Sequence, residues 1–256
     1  MRKSVKEEII ELISKLNDIT IYSEKKKELE NKILELGDAE LSYAFASSVK
    51  GADLKAHEEV VLKCKVPEYS YKFAKDIPGA DIKAHEKIVL KGNDAWTSYN
   101  FAKDIPGADL KAHEEVVLQS GYGLCSYKFA RDIPGANIKA HEEVVLKCKN
   151  PEYSYNFAKD IPGADIKDHE SIVIKHSAWK SEYILKFAEN IPGADITSLA
   201  SAMVQSRDSE YNVHSFHRHF GMCDEYFSKQ EREKELRLLN ELDDKVKRLG
   251  SMKSVK

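Results

Sequence analysis

The sequence predicts an all-α protein, an α-solenoid of six helix–turn–helix repeats of about 28 residues with helical caps at both ends. Three observations carry that expectation. A Phe-Ala pair recurs at Phe45, Phe73, Phe101, Phe129, Phe157 and Phe187, spaced by 28 residues four times and then by 30. From the second copy on, a Pro-Gly corner follows each pair, at Pro78, Pro106, Pro134, Pro162 and Pro192. The apolar residues flanking each corner keep helical rather than strand spacing. A hairpin this short cannot bury its apolar face alone, so neighbouring copies must stack.

The elements follow in chain order. Residues 1–37 are expected to form an N-terminal helical cap. Ile9, Ile10 and Ile13, then Leu29, Ile33 and Leu36, mark two amphipathic helices, and Ser4 and Glu7 are spaced for a capping box. Residues 38–207 hold the six repeats. In the second, Tyr69, Phe73 and Ile77 form the stripe of a first helix, which Pro78 ends because proline disfavours helical geometry in the residue before it. Gly79 permits a tight corner, and Asp81 is placed to cap the next helix, whose stripe is Ile82, His85, Ile88 and Val89. The first copy has Lys50 where the later ones have proline. The last has Leu185 and Leu199 in place of tyrosine and histidine, changes suited to the ends of a stack. The segment 63–81 returns almost unchanged at 147–165, three repeats on, which points to growth by block duplication. Residues 208–256 are expected to cap the C-terminal end. Residues 208–222 read as irregular or short helix. From about 223 to 249 a charged helix carries Leu239, Leu242, Val246 and Leu249, enough for a fold-back cap or a weak homodimer contact.

Charge and composition narrow the function. Forty basic and 43 acidic side chains give a net charge of -3, without the basic excess of a dedicated nucleic-acid or membrane-surface binder. No apolar run approaches the roughly 20 residues that span a bilayer, and the charged N-terminus does not read as a signal peptide. Cys64, Cys125, Cys148 and Cys223 show no paired spacing. Cys64 and Cys148 occupy one position in repeats too far apart for a disulfide, so free thiols and a cytoplasmic location are expected.

Several residue patterns have a chemical reading. His57, His85, His113, His141 and His169 form a ladder, each followed by glutamate, but Val61, Val89, Val117, Val145 and Val173 stand where a zinc protease has its second histidine. The ladder is therefore expected to be structural, buried and neutral, and to make stability sensitive to acid. His214, His217, His219 and Cys223 have a metal-like composition but converge only if their segment is a loop. The corner carboxylates, such as Asp76 with Asp81 or Asp104 with Asp109, are covered by capping and structural roles. The glycine-rich stretch at 121–125 lacks the lysine of a phosphate-binding loop. No nucleophile–base pair stands out, so neither an enzyme nor a cofactor or resident metal is expected.

Two surfaces remain. Lys75, Lys103, Arg131 and Lys159 form one basic stripe and Lys83, Lys111, Lys139 and Lys167 a second, with Glu58, Glu86, Glu114, Glu142 and Glu170 alongside as an ordinary solvated face. Variation concentrates between repeats, where Trp96, Tyr122 and Trp179 are placed in loops as aromatic anchors for a protein partner.

The Phe-Ala-Lys-Asp-Ile-Pro-Gly-Ala-Asp-Ile motif, over residues 39–205, resembles the short helical-hairpin arrays of uncharacterised bacterial and phage proteins, and in plan it is similar to HEAT-like solenoids. That resemblance implies a non-enzymatic scaffold that binds another protein. Its association with mobile elements implies an inhibitor of a host defence protein. The alternative expectation is a nucleic-acid binder that grips the phosphate backbone through the lysine stripes.

Overall fold

A computed structural model describes residues 4–15, 23–177, 181–206 and 210–222, with positions 228, 229, 233, 236 and 237. Trp179, Cys223 and the apolar positions Leu239, Leu242, Val246 and Leu249 lie outside the described residues. Among the described residues every regular element is a helix, and they fall into two compact units, 1–148 and 149–256.

The first unit begins with α1 (Val5–Lys15) and α2 (Ser23–Leu36). Four hairpins follow: α3 (Ala39–Ser48) with α4 (Leu54–Cys64), α5 (Pro67–Asp76) with α6 (Ile82–Gly92), α7 (Ala95–Asp104) with α8 (Leu110–Ser120), and α9 (Gly123–Asp132) with α10 (Ile138–Lys147). The expected capping box closes the start of α1, Ser4 N donating to Glu7 Oε2 at 2.8 Å and Glu7 N to Ser4 Oγ at 3.3 Å. At 10 or 11 residues each helix of these four hairpins is too short to be stable in isolation.

Each corner is built the same way. Ile77, held out of the helical region ahead of Pro78, ends α5 at φ -102°, and Ala80 N returns to Ile77 O at 3.3 Å. With Gly79 at φ +81°, this fits a type II turn, with proline and glycine at its two central positions. The first hairpin makes the same turn with Lys50 in the proline position, Gly51 standing at φ +83°. Asp81 then caps α6, Oδ1 accepting from Ala84 N at 3.0 Å, as the sequence predicts.

Packing runs both within and between hairpins. Inside each, the buried phenylalanine of the first helix lies against the buried histidine of the second, with ring centroids 5.3 Å apart for Phe73–His85 and 5.0 Å for Phe101–His113. Between hairpins, Phe101 and Ile105 share one apolar cluster with Ala74 and Val89 of the copy before. Burying a phenylalanine fully is worth about 2–3 kcal/mol, and here that gain exists only when the neighbour is in place. At the start of the stack Ile13 and Ile33 supply the surface that covers Phe45.

A polar strap accompanies this packing. Glu58 Oε1 accepts from Asp81 N at 2.6 Å, Glu86 from Asp109 N at 2.6 Å and Glu114 from Asn137 N at 2.6 Å. Glu30 of α2 does the same for Asp53 N at 2.6 Å, which places α2 in the register of a preceding second helix. These glutamates are therefore not the solvated face expected from the sequence. Each reaches to the backbone of the next hairpin, and Glu86 is only 6% exposed.

The second unit holds α11 (Pro151–Asp160) with α12 (Ile166–His176), α13 (Glu182–Asn190) with α14 (Ile196–Gln205), and α15 (Glu210–Phe220). The strap recurs as Glu170 Oε1 to Asp195 N at 2.7 Å. Leu199 takes the histidine position and is fully buried. Val213 and Phe216 of α15 close the apolar cluster formed with Phe187, Leu199 and Met203. The segment beginning at 208 thus contributes a regular three-turn helix.

Glu86→Ala is expected to lower the stability of the chain by about 2 kcal/mol, because it leaves the Asp109 amide without its charged acceptor. Glu115→Ala, at an exposed position of the neighbouring α8, should change it by no more than about 0.5 kcal/mol. Denaturant midpoints of the two variants measure the difference.

Candidate functional site

Three groups of side chains compete for a functional role: the histidine ladder, the basic stripes and the aromatic surface of the third and fourth hairpins. The ladder lies inside the stack. His57, His85, His113, His141 and His169 are all fully buried. Nε2 of His57, His85, His113 and His141 faces Oε1 of Glu30, Glu58, Glu86 and Glu114 in turn, at 3.3, 3.2, 3.5 and 3.2 Å. Burial holds the pKa of these four below the ordinary 6.5, outweighing the attraction of the facing carboxylate. The imidazoles are therefore neutral near pH 7, and a ring enclosed on all sides presents no face to a substrate.

The first basic stripe is committed to the fold. Lys75 Nζ donates to Asp104 at 2.8 Å and to Tyr71 Oη at 3.1 Å, while Tyr71 Oη itself donates to Asp104. Lys103 and Tyr99 converge on Asp132 in the same way, and Arg131 binds Asp132 and Tyr127. The arginine, foremost, holds the Asp132 carboxyl well below the usual carboxylate range. Tyr43, half-buried and bonded to Asp76 at 2.6 Å, has its pKa pushed up to about 12, by desolvation first and by the carboxylate second. The corner carboxylates thus hold tyrosines of the preceding hairpin. Lys159 lies 5.7 Å from the ring centre of Tyr155.

The second stripe differs. Lys83, Lys111 and Lys139 in the first unit and Lys167 in the second are exposed at the starts of α6, α8, α10 and α12, and none makes an ion pair or hydrogen bond among the described residues. Lys55 occupies the same position on α4 and extends the stripe by one hairpin.

The aromatic surface is more ordered than loops would make it. Trp96 lies in the first turn of α7, not in a loop, because Asp94 caps that helix by accepting from Thr97 N at 2.7 Å. Tyr122 occupies the capping position of α9. The Trp96 ring packs edge-on against Tyr99 at 5.9 Å and Tyr122 at 6.1 Å, and Lys128 Nζ stands 5.8 Å from its centre. Tyr122 is 41% exposed, and Trp96 and Leu124 are half-buried.

Comparison between repeats shows what is unusual here. The position of Trp96 is held elsewhere by Glu40, which pairs with Lys6 at 2.7 Å, by Glu68, which pairs with Lys72 at 2.6 Å, and by Glu152 and Glu182. Only the third and fourth hairpins place apolar residues there, Trp96 and Leu124. The position of Tyr122 is held by Asp38, Asp94 and Asn150, each of which accepts a backbone amide of its own helix, whereas Tyr122 makes no side-chain cap. Val66 also forgoes the cap, ahead of Pro67.

The histidine cluster near the C-terminal end sits on α15. His214 is exposed, His217 Nδ1 lies against Met222 O, and His219 Nδ1 faces Glu189 of α13 at 3.5 Å. Among the described residues no group of three or more His, Cys, Asp or Glu is arranged to hold a metal ion. Burial raises the Cys125 thiol to about 12, whereas Cys148 is exposed. No described helix is long and apolar enough to cross a membrane.

No protein-family model, curated protein or solved structure matches the chain. The class is thus defined by the fold itself: a protein of stacked helical hairpins, with half-buried or buried carboxylates reaching from one hairpin to the next.

Stability should fall as the pH drops below 6.5. The unfolded histidines protonate there while the buried ones, with depressed pKa values, resist until the pH reaches their folded values; above 6.5 both states are neutral and the penalty vanishes. A melting temperature clearly lower at pH 5.5 than at pH 7.5 is the expected result. Replacing His85 and His113 by leucine, the residue at the equivalent position 199, should flatten the profile.

Proposed function

We propose that the protein is a non-enzymatic scaffold that binds a partner protein through the surface formed by Trp96, Tyr122 and Leu124, with Lys128 at its edge. The observation that carries this reading is Tyr122 at a helix cap. Asn or Asp there stabilises a helix by about 1 kcal/mol, and the fourth hairpin forgoes that bond to present an aromatic ring. The adjacent Trp96 replaces an ion-pairing glutamate. Two neighbouring departures from the repeat, both toward large aromatic side chains, are the composition of an interaction hot spot. The cation beside the rings favours a partner that places a carboxylate next to an apolar plug.

A second reading rests on Lys55, Lys83, Lys111 and Lys139, whose uncommitted ammonium groups recur once per hairpin along the first unit. Such a row suits a phosphate backbone, and its affinity would fall steeply with salt.

One pair of substitutions separates these readings. Tyr122→Asn restores the cap of Asn150 and is expected to raise stability by about 1 kcal/mol, while Trp96→Glu restores the residue of the other hairpins. An affinity pull-down in the presence of nuclease should retain a stoichiometric protein on the natural chain and lose it on the double variant. Retention by the variant contradicts the aromatic surface. Disappearance of the partner with nuclease favours the lysine row.

A further inference from the structure

The first hairpin carries a cleft whose chemistry its sisters lack. It opens between α2 and the corner joining α3 to α4, with a volume of about 640 Å³, within the ordinary range for a small-molecule site. Leu34 and Val49 line its apolar part, and Lys26, Lys27 and Lys50 its cationic part.

The repeat register shows how this charge arises. Glu30 is equivalent to Glu58, so Lys26 stands where the later second helices have Leu54, Ile82, Leu110 and Ile138. Lys50 stands where their corners have Pro78, Pro106 and Pro134, which also returns a backbone N–H to the turn. Lys27 continues the exposed stripe of Lys55 and Lys83. Two ammonium groups have thus replaced an aliphatic side chain and a proline at one corner only.

Two acids share the cleft, and both are committed to the backbone. Glu30 Oε1 accepts from Asp53 N at 2.6 Å and faces His57, and Asp53 Oδ1 accepts from Ala56 N at 3.0 Å. The three lysines make no ion pair or hydrogen bond among the described residues. Three cations against two acids leave the cleft a net +1, with its cations free and its acids occupied.

We propose that this cleft binds a phosphorylated small molecule of about nucleotide size, its phosphate groups held by Lys26, Lys27 and Lys50 and its body resting on Leu34 and Val49. Ammonium groups act as mobile point charges and suit phosphate oxygens, and a ligand with two or more negative charges matches three of them. A monocarboxylate leaves most of that charge uncompensated. This site is independent of the aromatic surface and of any partner bound there.

Isothermal titration at low salt with pyrophosphate, AMP and acetate tests it. The natural chain should bind pyrophosphate and AMP with one-to-one stoichiometry and acetate not measurably. Lys26→Leu with Lys50→Pro installs the residues of the other hairpins and should weaken both ligands about tenfold or more. Lys111→Ala, on the same stripe but away from the cleft, should leave them unchanged. If the melting temperature shows that the double variant folds poorly, Lys26→Gln with Lys50→Gln replaces it. No binding to the natural chain, equal loss in Lys111→Ala, or acetate binding as tight as pyrophosphate overturns the proposal.

Discussion

A carboxylate that reaches from one hairpin to the backbone of the next is the interaction on which the stack depends. In an ordinary capping box, the cap side chain accepts the amide three residues on, and a glutamate at that third position accepts the amide of the cap. Here the third position is Ala84, Ala112 or Ala140, which cannot return the bond. The glutamate arrives from the preceding hairpin instead: Glu58 for Asp81, Glu86 for Asp109, Glu114 for Asn137. The capping box is completed only when two repeats meet. A bond of this charge-assisted kind is worth about 1.5–3 kcal/mol, and losing it orphans a helix-terminal amide.

The histidine follows from the same constraint. A glutamate pulled under the next helix gains a second polar neighbour from the hairpin being capped: Nε2 of His85 bonds Glu58 at 3.2 Å, and Nε2 of His113 faces Glu86 at 3.5 Å. The other face of that imidazole stacks on the phenylalanine of its own hairpin. Phe, His and Glu therefore form one unit repeated along the chain, with the Tyr–Asp contacts binding the first helices beside it. A protein whose interior is this uniform has little freedom there to evolve specificity, which moves the informative differences to the ends of helices and the first corner.

The fold was legible because its signals are local. Phe73, Pro78, Gly79 and Asp81 each act within a few residues of their own position, and the structure places the helix end, the corner and the cap accordingly. The role of Glu86 was not legible. Its partner is a backbone amide 23 residues away, which carries no side-chain signature, so the residue read as solvated charge. In the sequence the run Gly92-Asn93-Asp94 reads as a continuous break, which puts Trp96 in a loop. In fact the break is a single left-handed residue, Asn93 at φ 52°, followed by an Asp cap. The spacing of Asp94 and Thr97 was the available signal. Lys50 departs visibly from the repeat, but its convergence with Lys26 depends on the register of α2, which Glu30 and Asp53 set.

Native-state hydrogen exchange at the amides of Asp81, Asp109 and Asn137 tests the inter-repeat capping most directly. Amides at a helix cap normally exchange fast, because no residue of their own helix accepts them. If the glutamate of the neighbouring hairpin holds them, their protection should approach that of interior amides such as those of Val89 and Val117. Exchange at the rate of free helix ends would contradict the account and leave apolar packing alone to hold the hairpins together.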